Sequence, residues 1–135
     1  MLHMIKLAVG VRDASELRDW QRQRFSGPPM HHTRQRPRRA DEIIDGGSLY
    51  WVIAGTALLR QRIVDIATAT RPDGSACAAL VFDPALISVR PRPVRAFQGW
   101  RYLEPADAPP DLGANDAEAG MPPAMAARLR GLGLI

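Results

Sequence analysis

The sequence predicts an α+β fold: a mostly antiparallel β-barrel or strongly bent sheet, with two N-terminal helices and a C-terminal helix. Three observations predict it. Residues 48–83 alternate strand-forming runs with tight-turn residues, the pattern of an antiparallel meander. A helix-start signature at Asp13-Ala-Ser-Glu16 and a proline-led Arg/Glu segment from Pro37 to Ile44 precede that meander. A proline-punctuated stretch and an aromatic strand follow it.

Taken in order, residues 2–9 place Ile5, Leu7 and Val9 on one face of an opening strand. A helix then runs to about Phe25, with Leu17, Trp20 and Arg24 on a common stripe, and Gly27-Pro28-Pro29 ends it. Residues 30–36 read as a loop or short edge strand. A short helix starts at Pro37 and stops at Gly46-Gly47. Ser48–Ile53, rich in aromatic and β-branched residues, is the strongest strand signal. Residues 57–68 and 76–82 supply the next two strands, separated by the turn Pro72-Asp73-Gly74. Arg90-Pro-Arg-Pro93 cannot lie mid-sheet, because proline lacks the ladder donor. Residues 96–103 could close the sheet. The domain therefore spans 1–103, followed by an acidic Pro/Ala-rich linker at 104–121 and a helix over 122–135.

A chain of 135 residues is long enough to bury a core without a disulfide or a metal. Its one cysteine, Cys77, sits in an apolar run and reads as a buried structural thiol. A lone cysteine, no apolar run of bilayer length and no leader-like N-terminus together predict a cytoplasmic protein without a membrane partner. His3, His31 and His32 lack the spaced partners of a zinc site, so neither metal nor cofactor is expected. No P-loop and no Gly-x-Ser-x-Gly elbow occurs.

Net charge is +4, and it is unevenly spread. Residues 12–39 are arginine-rich, whereas 104–118 hold only acidic charges. Such asymmetry favours a polyanionic partner. Two clusters could meet one. Thr33, Arg34, Arg38, Asp41 and Glu42 place guanidinium forks and carboxylates before a glycine turn, and forks suit phosphate. Tyr50, Trp51, Trp100 and Tyr102 are candidate stacking surfaces. Tyr50 and Trp51 point to opposite faces of their strand, one into the core and one available; Trp100 and Tyr102 share a face. Arg60 and Arg62 share a face directed to water. Ser48, Arg60 and Arg101 complete the candidate ligand-binding set.

Lys6-Leu-Ala-Val-Gly10, Thr33-Arg34 with Pro37, Arg39 and Glu42, Asp45–Ile53, Arg60-Gln61, Gln98–Leu103 and Pro109-Pro-Asp111 resemble a bacterial domain-of-unknown-function family, number 1489. The resemblance covers about 1–112 and implies no activity. The order of elements also resembles the PUA-like barrels, including ASCH and EVE domains. That likeness implies RNA or modified bases held in an aromatic and polar cleft.

Three functions are therefore expected in order. The first is binding of RNA, a nucleotide or a modified base, between the Thr33–Glu42 segment and the Tyr50/Trp100 aromatics. The second is an enzyme acting on a nucleotide or small anion with Asp41 or Glu42 as general base. The third is an interaction module, including a homodimer through Met125, Leu129 and Leu132.

Overall fold

The structure, a computed structural model, describes residues 1–112. Strand β1 (His3–Leu7) leads through helix α1 (Ala14–Arg24), strand β2 (Met30–Thr33) and helix α2 (Ala40–Ile44) to β3 (Ser48–Ile53). Strands β4 (Thr56–Thr70), β5 (Ala76–Phe82), β6 (Ile87–Pro93) and β7 (Trp100–Leu103) follow, then a 3-10 turn at Pro105–Asp107.

The seven strands form one sheet in the order β2-β5-β4-β3-β1-β7, with β6 branching from β4. The β3-β4-β5 meander is antiparallel throughout. In contrast, β1 lies parallel to β3, pairing Ile5 with Tyr50 and Lys6 with Trp51. Strand β4 is long because it serves two neighbourhoods: residues 56–62 pair with β3, and residues 63–70 pair with β5. Bulges at Trp51/Val52, Ala57/Leu59 and Ile63/Asp65 re-aim the strands.

The expected mostly antiparallel, PUA-like β-barrel or strongly bent sheet with two N-terminal helices and a C-terminal helix is therefore corrected. The sheet is mixed and does not close, and its ends are the four-residue strands β2 and β7. Residues 96–103 supply β7, which pairs with β1 and not across a seam. Pro91 and Pro93 lie in β6, which pairs with β4 and meets residues 110–112 through Ser88, Val89 and Arg90. The two helices of the described residues are short, at 11 and 5 residues. The region expected as a C-terminal helix, with Met125, Leu129 and Leu132, lies outside the described residues.

Helix α1 starts where the capping signature stands: the Glu16 amide donates to Asp13 Oδ1 at 2.8 Å, a cap worth about 1 kcal/mol. The face it buries differs from the expected stripe. Ala14, Leu17 and Gln21 are buried, while Trp20 is 45% exposed. Gln21 can be sealed because its amide pairs reciprocally with Gln61, at 2.9 Å in both directions. Gln61 Oε1 also accepts from Trp51 Nε1 at 3.1 Å, and Gln61 Nε2 donates to the Asp83 carbonyl at 3.0 Å.

Apolar side chains divide between the two faces of the sheet. The larger group, with Met4, Leu17, Leu49, Trp51, Leu59, Leu80 and Phe82, lies under α1. The smaller, with Ile5, Tyr50, Val52, Ala57 and Val89, lies on the other face. Residues 104–112 return to the sheet, where Val89 bridges Asp111 and the Leu112 amide donates to the Ser88 carbonyl.

One junction joins α2, β1 and β4. The Gly47 amide donates to the Ile43 carbonyl at 2.7 Å, and its own carbonyl accepts from Ile63 and from Arg62 Nη1. Arg62 Nη2 also meets the Ile44 carbonyl at 2.6 Å, so the guanidinium caps the end of α2 instead of pointing to water as expected. A Cβ at Gly47 would overlap the carbonyl oxygens of Leu2 and Ile43, which are backbone and cannot rotate away. Gly47→Ala should therefore lower stability by about 2 kcal/mol or more, within the range for overpacking. Gly27, with open space around it, serves as the control: Gly27→Ala should shift the urea midpoint little. Equal midpoints for the two variants would contradict this account of the junction.

Candidate functional site

A cavity of about 310 Å3 opens between α1 and the sheet. Its walls come from five regions. Strand β1 and the loop after it supply Lys6 to Val11, α1 supplies Glu16, Leu17, Trp20 and Gln21, β2 supplies Met30 and His31, and Trp51 and Phe82 complete the lining from β3 and β5. The volume lies at the low end for small-molecule sites, and the mostly apolar lining with few polar groups is typical of them.

Its mouth is apolar. Val9 is 84% exposed, Trp20 45% and Met30 38%, and all three line this cavity. Gly10, at φ +79, turns the chain beside the opening. Trp20 also carries Arg24 over its ring at 5.2 Å and packs edge-on against Phe25.

Two titratable groups mark the polar side. Lys6 lies in register with Trp51 on one neighbouring strand and Trp100 on the other, so an amine sits in a row with two indoles. Burial lowers its pKa from the ordinary lysine value. His31 meets Trp51 edge-on, with ring centroids 6.5 Å apart. Burial first, then the charges of Lys6 and His32, push its imidazole down to about 4, so it is neutral at pH 7. Glu16 is the cavity's only carboxylate among the described residues, and Arg12 Nε holds it at 3.1 Å.

The residues expected to form one arginine and aromatic cleft fall into separate groups. Ser48, Tyr50 and Arg60 come together on the face away from α1. Arg60 Nη1 donates to Ser48 Oγ at 3.1 Å, and its fork grips Asp111 at 2.6 and 2.8 Å. The Ser48 amide donates to His3 Nδ1, and that imidazole packs edge-on against Tyr50. Burial, followed by Arg60, the N-terminus and Arg62, lowers the His3 pKa, and burial raises that of Tyr50. Tyr50 and Trp51 do point to opposite faces, but both are buried, at 4% and 6%. Neither is openly exposed, because the sheet is covered on both sides, and Trp51 reaches the cavity under α1.

A second group gathers near α2. Trp100 and Tyr102 share a face, 5.0 Å apart and edge-on. Arg39, absent from the candidate set, holds Glu42 with a two-pronged contact at 2.6 and 2.9 Å and reaches Glu104 at 3.1 Å. Its guanidinium lies 5.6 Å from the Tyr102 ring centroid. Hydrogen bonds from Arg39 lower the Glu42 pKa, which makes that carboxylate a weaker base. Asp41 projects into solvent, with Arg36 at 3.4 Å. Thr33 is buried and bonds the Gln35 carbonyl, Arg34 and Arg38 are exposed, and Arg101 is exposed with its guanidinium over Phe97.

Sequence reasoning missed Lys6 and Trp20 as site residues and considered His31 only as a metal ligand. One signal was legible: Lys6 is the chain's single lysine, and it stands within a strand. Among the described residues, no group of three His, Cys, Asp or Glu side chains could hold a metal ion. No helix among them is long and apolar enough to cross a membrane.

Fold and cavity together define a mixed-sheet domain with an apolar-rimmed pocket under α1. The chain belongs to the family described as "Protein of unknown function (DUF1489)", whose profile matches residues 4–135. Nothing among curated proteins or solved structures matches the chain.

The Asp111–Arg60 contact makes a pH prediction for residues 104–112. Arg60 holds the Asp111 carboxyl below its ordinary 3.8. A carboxyl depressed on folding contributes stability above its unfolded pKa and loses it as pH falls through the folded value. Both groups are partly exposed, so the contribution is at most about 1 kcal/mol. Hydrogen exchange at the Leu112 amide should therefore speed up between pH 4 and pH 2 relative to that at Phe82. Asp111→Asn should remove that pH dependence. An unchanged pH profile in the variant would contradict the assignment.

Proposed function

We propose that this protein is a small-ligand-binding domain. The ligand is a flat, largely apolar molecule bearing one oxygen, anionic or carbonyl, that meets the Lys6 amine inside the cavity under α1. The observation that carries this reading is the convergence of exposed Val9, Trp20 and Met30 on the mouth of one pocket. Exposed apolar groups gathered at a concave site mark a place where something docks.

The polar groups narrow the ligand. Neutral His31 and Lys6 occur with a single carboxylate already engaged by Arg12. That balance favours an acceptor oxygen over a cation. Trp20 and Trp51 provide flat surfaces, which suit an aromatic body. A nucleobase is one such body, so a nucleotide or modified base belongs to this class.

The probe 2-naphthoate, a flat apolar anion, should quench tryptophan fluorescence saturably. Lys6→Met should raise its Kd by about tenfold or more, because a hydrogen bond to a charged group contributes roughly 1.5–3 kcal/mol. An unchanged Kd would contradict the role given to Lys6.

A second reading concerns nucleic acid. Arg22, Arg24, Arg34 and Arg38 are exposed, and among the described residues none lies within ion-pairing distance of a carboxylate. Such unneutralised forks suit a phosphate backbone. Binding of single-stranded RNA should then weaken steeply with salt, and the slope should fall by about 1 for each of these arginines changed to Gln. Salt-independent binding would contradict this second reading and leave the cavity untouched.

A further inference from the structure

We propose that Lys6 captures a small aldehyde or ketone as an imine inside the α1 cavity. This rests on the reading of the cavity as a ligand site and names the chemistry at its polar end.

The placement supports it. Lys6 is the chain's only lysine, and every other Lys/Arg-type cation is arginine, which cannot act as an amine nucleophile. Lysines are ordinarily solvated at surfaces. This one sits in β1 between Trp51 and Trp100 and lines an apolar cavity. Desolvation raises the fraction of free amine at neutral pH, and that is the nucleophilic form. The titratable groups sharing the cavity are few. His31 faces it from β2 beside His32, and Glu16 faces it from α1 already held by Arg12. The partners of Lys6 on β3 and β7 are tryptophans and carry no charge.

The step balances without a further reactant. The Nζ lone pair attacks the carbonyl carbon, forming a C–N bond while the C=O π pair moves to oxygen. One N–H proton then moves from nitrogen to that oxygen to give a carbinolamine. The remaining N–H proton follows the same route to the hydroxyl, the C–O bond breaks, and one water leaves as C=N forms. The apolar walls favour expulsion of that water and bind the ligand's flat body.

The test is reductive trapping of the full-length chain with 2-naphthaldehyde and cyanoborohydride at pH 7, read by peptide mass mapping. The α-amine of Met1 serves as an internal reference. Lys6 should be labelled saturably, and faster in the folded than in the urea-unfolded chain, since a lowered pKa leaves more free amine at pH 7. Excess 2-naphthoate should suppress the labelling. Labelling of Lys6 no faster in the folded chain overturns the proposal. Binding of 2-naphthoate without any Lys6 adduct overturns the imine and leaves the cavity reading intact, whereas neither binding nor labelling overturns both.

Discussion

A buried amide pair governs the geometry of this domain. Gln21 on α1 and Gln61 on β4 exchange two hydrogen bonds, and the same Gln61 holds the Trp51 indole and the Asp83 carbonyl. An amide inside an apolar layer must be satisfied or it costs several kcal/mol. That requirement sets the rotation of α1: Gln21 faces inward, so Trp20 one residue earlier faces the rim. Tilted this way, the helix covers Leu49 and Phe82 but leaves open space above Lys6 and His31. The cavity follows from satisfying one polar pair, and its exposed apolar mouth follows from where that pair points the neighbouring side chains.

The opposite face works differently. Arg60 and Arg62 emerge from β4 toward that side, opposite Tyr50 and Ser48. Both are used structurally: Arg62 caps α2, and Arg60 ties down Asp111. Arg39 plays a similar part for Glu42 and Glu104. The arginines that meet carboxylates or carbonyls therefore organise the domain, while others, such as Arg22 and Arg34, stay exposed. Arginine content alone says little about a binding site until these two populations are separated.

Local chemistry was legible in the sequence, and spatial convergence was not. The cap at Asp13, the meander from Ser48 to Phe82 and the edge placement of the Pro91/Pro93 strand all follow from rules that act over a few residues. The parallel pairing of β1 with β3 depends on contacts some 45 positions apart, such as Ile5 with Tyr50, and no short-range pattern encodes it. Without that pairing, β7 reads as a closing strand, when in fact it extends the sheet beside β1. The candidate residues are divided by the same long-range pairing: Tyr50 packs on one face of the sheet and Trp100 on the other, while Glu42 is held by Arg39. Lys6 lay within the motif that carries the family resemblance, yet its significance depends on α1 crossing above it.

The most direct test of the central claim is a methyl and indole NMR titration with 2-naphthoate, mapping where the ligand sits. The account predicts shifts concentrated at Val9, Val11, Leu17, Met30 and the Trp20 and Trp51 indoles, all of which line the cavity, with Val64 and Val94 unmoved. Perturbations confined to the surface around Arg34 and Arg38, or none at saturating probe, would contradict it.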